Sequence, residues 1–140
     1  MSFNIRVYGI LIRNNNEVLV TDEVIKKMSF TKFPGGGLKF GEGLKDCLKR
    51  EFLEELQLPI TVNDLFYLTE QFQVSAFDDD DQVISIYYNI SATAEDLQLL
   101  QNRKFVSPSN EIPRWVQLDN LDERDFMFPI DKKVVKKLKP

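Results

Sequence analysis

The sequence predicts an α+β domain in which a mixed sheet lies between helices. Three observations carry this. Apolar residues alternate, or run on continuously, in several short segments, as half-buried and buried strands require. Two other segments repeat apolar residues at helical spacing. The order strand, strand, short strand, helix, strand, strand, short strand, helix then sets a helix on either side of a sheet. The 140 residues suffice for one domain, 1–140, with a real core, and fall short of two.

Phe3 to Ile12 reads as the first strand, with Phe3, Ile5 and Val7 alternating before a continuous apolar end. Arg13 to Glu17, with three asparagines, is a turn. Val18 to Thr21 returns as the second arm of a hairpin. Asp22 to Ser29 reads as a polar link, and Phe30 to Phe33 as a short extended piece before Pro34. Glu42 to Leu58 is the first helix. Leu44, Leu48, Phe52 and Leu56 form its packing stripe, and Leu53, on another side, predicts cover there too.

Leu65 to Val74 and Val83 to Ser91 are further strands, the second β-rich and central. The run Asp78 to Asp81 between them lacks the alternating ligands and glycine of a calcium loop and reads as a solvated hairpin tip. Ala92 to Ser109 looks like a linker. Asn110 to Leu118 is a short strand, followed by a small helical piece near Leu121. Ile130 to Leu138 is the last helix, packed through Val134, Val135 and Leu138. Its lysines form a polar face.

The chemistry gathers at residues 35–58. Glu51, Glu54 and Glu55 are three and four apart, so a helix points all three carboxylates one way. Like charges this close raise each other's pKa unless a positive group offsets them. A hard divalent ion such as Mg²⁺ or Mn²⁺ takes carboxylate oxygens as ligands. A solvated glutamate face is the plainer reading of the carboxylates alone. Against it stands the approach: Gly35, Gly36 and Gly37 let the backbone turn tightly and come close to a ligand.

Gly36, Glu42, Arg50, Glu51, Phe52, Glu54, Glu55 and Leu58 stand at the spacings of a known signature. The stretch resembles that of the Nudix hydrolase family, whose fold is an α/β/α sandwich. Gln57 departs from it, standing where the family usually has glycine at the helix end. A left-handed residue there costs about 1 kcal/mol without glycine, unless the helix ends differently ahead of Pro59.

The resemblance implies metal-dependent hydrolysis of a pyrophosphate bond in a nucleoside diphosphate linked to another group. A nucleoside triphosphate and a nucleotide sugar such as ADP-ribose are the candidate substrates. It implies Mg²⁺ or Mn²⁺ on Glu51, Glu54, Glu55 and the Gly36 carbonyl, with Arg50 orienting the glutamates. Many members carry a glutamate ahead of a later Trp-bearing strand, as an extra ligand or base. Glu111, ahead of Trp115, fits that place. Glu54, Glu55 or Glu111 would take the proton from water. The Phe-Pro entry to the last helix suggests Phe128 and Asp131 as base-holding residues, beside plainer roles in packing and first-turn charge. Lys32 and Phe33, just before the glycines, either reach the substrate or are a surface lysine and a core phenylalanine. A nucleotide sensor that binds without cutting is the alternative function.

Other classes are excluded or disfavoured. The chain has no histidine and one cysteine, which excludes a Cys/His zinc site, a His-based triad and an internal disulfide. A net charge of −4 without a basic block argues against a nucleic-acid groove. No apolar run is long enough to cross a membrane, and Met1 to Arg6 does not have the form of a signal peptide. The expectation is a cytoplasmic protein acting on a small nucleotide, with a homodimer possible.

Overall fold

A computed structural model describes residues 1–25, 27–105 and 111–139. β1, Ser2–Arg13, turns through Asn14 and Asn15, both in the left-handed region with φ of 53° and 58°, into β2, Glu17–Ile25. Asparagine tolerates that conformation better than most residues, and two such residues in succession match the twist of a hairpin. β3, Met28–Lys32, pairs antiparallel with β2, and β4, Gly35–Gly37, pairs antiparallel with β1. α1, Leu44–Leu56, follows, then β5, Thr61–Leu68, and β6, Asp81–Ser91. α2 is Ala94–Asn102, β7 is Glu111–Gln117 and α3 is Pro129–Leu138. Two short 3₁₀ turns, Leu118–Asn120 and Glu123–Asp125, flank Leu121.

The sheet order is β3-β2-β1-β6-β5, with β7 on β2 and β4 on β1. β1 and β6 run parallel and the other pairs antiparallel, so the sheet is mixed. Strand alternation sorts the core into two halves. Val7 and Leu11 of β1 point to one face, with Leu48, Phe52 and Leu56 of α1 and Leu100 of α2. Tyr8 and Ile10 point to the other, with Tyr87, Val134 and Val135. The result is an α/β/α sandwich: α1 and α2 over one face, α3 over the other. No helix among the described residues is long and apolar enough to cross a membrane.

The structure departs from the sequence expectation at four places. The expected link over Asp22 to Ser29 is strand: β2 continues to Ile25 and β3 starts at Met28. Its polar residues are satisfied across strands. Thr31 Oγ1 donates to Asp22 Oδ1 at 2.6 Å, and Arg114 Nε donates to Asp22 Oδ2 at 2.6 Å. The expected linker after Ala92 contains α2, capped by Thr93 Oγ1 accepting from the Asp96 amide at 3.1 Å; residues 106–109 of that span, and Asn110 of the expected next strand, lie outside the described residues. β5 lies earlier than expected and ends at Leu68, its register shifted twice against β6. Leu53, expected under cover, is half exposed.

Of the two endings open to α1, the structure has the left-handed one at Gln57. Gln57 takes the left-handed conformation, φ 52° and ψ 37°. Its amide donates to the Leu53 carbonyl at 3.1 Å, and Leu58 donates to Phe52 at 3.2 Å. Arg103 Nη1 donates to the carbonyls of Leu56 at 2.9 Å and Gln57 at 2.7 Å. These bonds satisfy end carbonyls that a helix leaves open.

Candidate active site

β4 lies against β1, with Gly36 opposite Val7, and α1 passes over it. A Cβ added at Gly36 would fall 2.2 Å from Glu51 Cδ. The Glu51 carboxyl therefore occupies the space a side chain would need, and only glycine brings backbone and carboxylate this close. Arg50 ties the assembly together. Its Nε and Nη2 fork onto Glu42 at 2.9 and 2.6 Å. Its Nη1 donates to Glu51 at 2.9 Å and to Glu54 at 3.2 Å, and its Nη2 to the Gly37 carbonyl at 3.0 Å. The Arg50 side-chain bonds, then the Lys39 amide, hold the Glu42 carboxyl down to about 2. Glu42 is thus the anchor of the arginine.

β7 brings Glu111 to the cluster by pairing with Glu23 of β2. Glu111 is only 7% exposed. It accepts from Thr21 Oγ1 at 3.1 Å and pairs with Lys32 Nζ at 2.9 Å. Lys32, 3% exposed, lies 3.8 Å from Glu23 as well. Burial raises the pKa of Glu55, and the neighbouring Glu111 and Glu51 raise it further against the pull of Lys32. Glu54 stands apart, its side chain 54% exposed. Among the described residues no group of three acidic or cysteine side chains already encloses an ion position. Glu51 and Glu54 are turned onto Arg50, and Glu111 onto Lys32. The donor set nonetheless suits a hard cation: several carboxylates stand beside a glycine backbone.

Lys32 and Glu23 also line a cavity of about 310 Å³ on the α3 face of the sheet. Its wall holds Arg6, Phe77, Phe128 and Asp131. Phe128 meets Phe30 edge-on at 5.2 Å and Phe77 edge-on at 5.8 Å. Asp131, 1% exposed, accepts from Tyr87 Oη at 2.5 Å through Oδ1. Its Oδ2 is buried with no hydrogen-bond partner among the described residues. Burial pushes the Asp131 carboxyl up to about 7, against the Tyr87 bond and the charges of Lys32 and Arg6.

The structure thus brings Glu51, Glu55, Glu111 and Lys32 together beside Gly36, with Arg50 and Glu54 at the outer edge. Phe128 and Asp131 stand on the cavity wall. Phe33 does not: it is fully buried, stacked on Phe126 at 5.0 Å and edge-on to Tyr87 at 6.1 Å. It took the core position of its two sequence readings, and Lys32 is interior, not a surface lysine. Cys47 is fully buried, its thiol pushed up to about 12 by burial and then by Glu42, so it is not a nucleophile. Sequence reasoning missed Arg6, Glu23 and Phe77. The signal for Arg6 was present: Asn4, Arg6 and Tyr8 alternate with the apolar face of β1.

Sheet, glycine turn and carboxylate helix together define an α/β/α domain with an acidic cluster beside a glycine turn. A NUDIX domain model matches residues 3–138, and the chain belongs to that family. No curated protein matches the sequence. Among solved structures, a NUDIX hydrolase from Nitrosomonas europaea shares 16% identity at a TM-score of 0.74, over 96% of this chain and 86% of that one. The MutT protein of Methanosarcina mazei Go1 shares 18% at 0.73, over 98% and 93%. A MutT structure from work on Aliivibrio salmonicida and Vibrio cholerae shares 23% at 0.61, over 97% and 96%.

Proposed function

We propose that the protein hydrolyses a pyrophosphate bond in a nucleoside diphosphate linked to another group, either a nucleoside triphosphate or a nucleotide sugar. The observation that carries this reading is the Glu51 carboxyl pressed on Gly36, with Glu55 and Glu111 crowded beside it. Glu51, Glu54, Glu55, Glu111 and the Gly36 carbonyl would hold Mg²⁺ or Mn²⁺. Such an ion offsets the repulsion between carboxylates and diphosphate, polarises phosphoryl oxygens and lowers the pKa of water.

The chain's own residues do the rest. Arg50 holds Glu51 and Glu54 in place through Nη1, and Glu42 holds Arg50 through the fork of Nε and Nη2. Glu54 is the most open of the carboxylates and is suited to take the proton from the attacking water. Glu111, fixed by Lys32 and Thr21, is the second candidate for that role. The nucleoside enters the cavity, its base against Phe128. A polar edge of the base meets Asp131 Oδ2, the carboxyl oxygen that the protein itself leaves without a partner among the described residues.

A panel of nucleoside diphosphate compounds with Mg²⁺ or Mn²⁺, followed by phosphate-containing products, tests this. Glu54→Gln is expected to lose about 10²- to 10⁴-fold in turnover while remaining folded, as removal of a general base does. Unchanged turnover removes Glu54 from the role and passes it to Glu111→Gln. If no compound turns over and one binds without metal, the protein is a sensor and the hydrolase reading falls.

A further inference from the structure

Arg6 has no role in the site as described, yet it lies between its two halves. It sits on the cavity face of β1 and lines the cavity wall. Its strand partner is Gly37, and a Cβ added there would lie 3.3 Å from Arg6 Nη1. The guanidinium therefore reaches along the glycine turn toward the carboxylates. The charges of Glu51 on one side and Glu23 on the other both act on it.

Its hydrogen bonding is incomplete. Nε donates to Tyr8 Oη at 3.1 Å. Nη1 and Nη2 have no partner among the described residues. Every other arginine donates to a carboxylate or a carbonyl: Arg13 to Glu17, Arg50 to Glu42, Arg103 to Leu56, Arg114 to Asp22 and Arg124 to Asp122. Arg6 is only partly buried, and its two open nitrogens are free to take an anion that enters the cavity. A guanidinium edge matches two oxygens of one phosphate, and Lys does not reproduce that fork.

We propose that Arg6 binds the phosphate adjacent to the nucleoside, and so decides which way round the substrate lies. The nucleoside then points to Phe128 and Asp131, and the remaining phosphate to Glu51. This rests on the reading of the cavity as a nucleoside site beside a diphosphate-cleaving cluster.

Calorimetry without divalent ions tests it, using cytidine, uridine, adenosine and guanosine and their 5′-monophosphates as probes. For the tightest monophosphate, Arg6→Gln is expected to weaken binding about 10- to 100-fold, the range of a charge-assisted phosphate contact. Affinity for the parent nucleoside is expected to stay within about twofold, and Arg6→Lys to recover only part of the loss. Unchanged monophosphate affinity in either variant overturns the proposal. So does an equal loss for nucleoside and monophosphate, which would make Arg6 a wall of the cavity. Should Arg6→Gln not fold, the Arg6→Lys comparison decides alone. The turnover panel stands apart: if wild type cleaves nothing, the hydrolase reading fails, while the paired affinities still decide on Arg6.

Discussion

The two halves of the site are built in opposite ways. The carboxylate half is local. Glu42, Arg50, Glu51, Glu54 and Glu55 lie within one short segment, and helix geometry alone sets Glu51, Glu54 and Glu55 on one face. The cavity half is assembled from distant segments: β1, β2, β3, the stretch around Phe77, β6 and α3. The first half is dense in charge, and three of its carboxylates pair with its own Arg50. The second is aromatic and leaves one buried carboxyl oxygen and two nitrogens of one partly buried guanidinium without partners among the described residues. A local cluster suits chemistry common to a family, because one segment carries it whole. An assembled cavity suits selection of substrate, because each wall can vary on its own.

Removing the hub of the local half is the strongest way to break this contrast. Arg50 donates to three carboxylates and the Gly37 carbonyl, so Arg50→Ala frees the whole cluster. Turnover is expected to fall about 10- to 100-fold, as when a group that orients ligands is lost. Arg50→Lys is expected to restore little, because a point charge cannot replace the fork. Steady-state kinetics on any cleaved diphosphate compound checks both. Full activity in Arg50→Ala would show that the carboxylates hold their places without it.

The assembled half has a pH signature of its own. The Asp131 carboxyl rises from an ordinary 3.8 to about 7 on folding, so the folded chain binds a proton that the unfolded chain has released. Stability from this group is complete below pH 3.8 and is lost as pH rises through 7. Between pH 5 and pH 8 the loss is on the order of 2 kcal/mol. In Asp131→Asn that component is absent. Urea midpoints at the two pH values, in wild type and variant, give the difference; equal slopes would mean that Asp131 is ionised in the fold.

The smallest effect sharpens the boundary of the local half. Gln57 holds a left-handed conformation that glycine adopts without the steric cost. Gln57→Gly is expected to stabilise the fold by about 0.5 to 1 kcal/mol, once the greater freedom of unfolded glycine is subtracted. Urea unfolding measures it. Turnover is expected to stay the same, because Gln57 touches none of the carboxylates.

Several elements show where reading along the chain stops. The end of β2 and the start of β3 were obscured because Asp22 and Glu23 look like loop residues until their partners across the sheet are known. α2 was missed because its apolar stripe is thin, with Leu100 as its single buried residue. Lys32 read either as a substrate contact or as a surface lysine, and only the pairing of β7 with β2 sets Glu111 beside it. Phe33, just before the glycines, read either as a substrate contact or as a core residue. It lies just past the end of β3 and packs in the core against Phe126 and Tyr87.

By itself the sequence determined the mixed sheet between helices, the family signature, and the face on which Glu51, Glu54 and Glu55 stand. Those features rest on backbone periodicity and short spacings, which the chain carries at every scale of folding. The tertiary structure alone decided that Glu111 joins Glu55, that Lys32 is interior, and that Arg6 and Asp131 share one cavity. Such contacts join segments far apart in the chain, and they form only when burial and strand pairing bring those segments together.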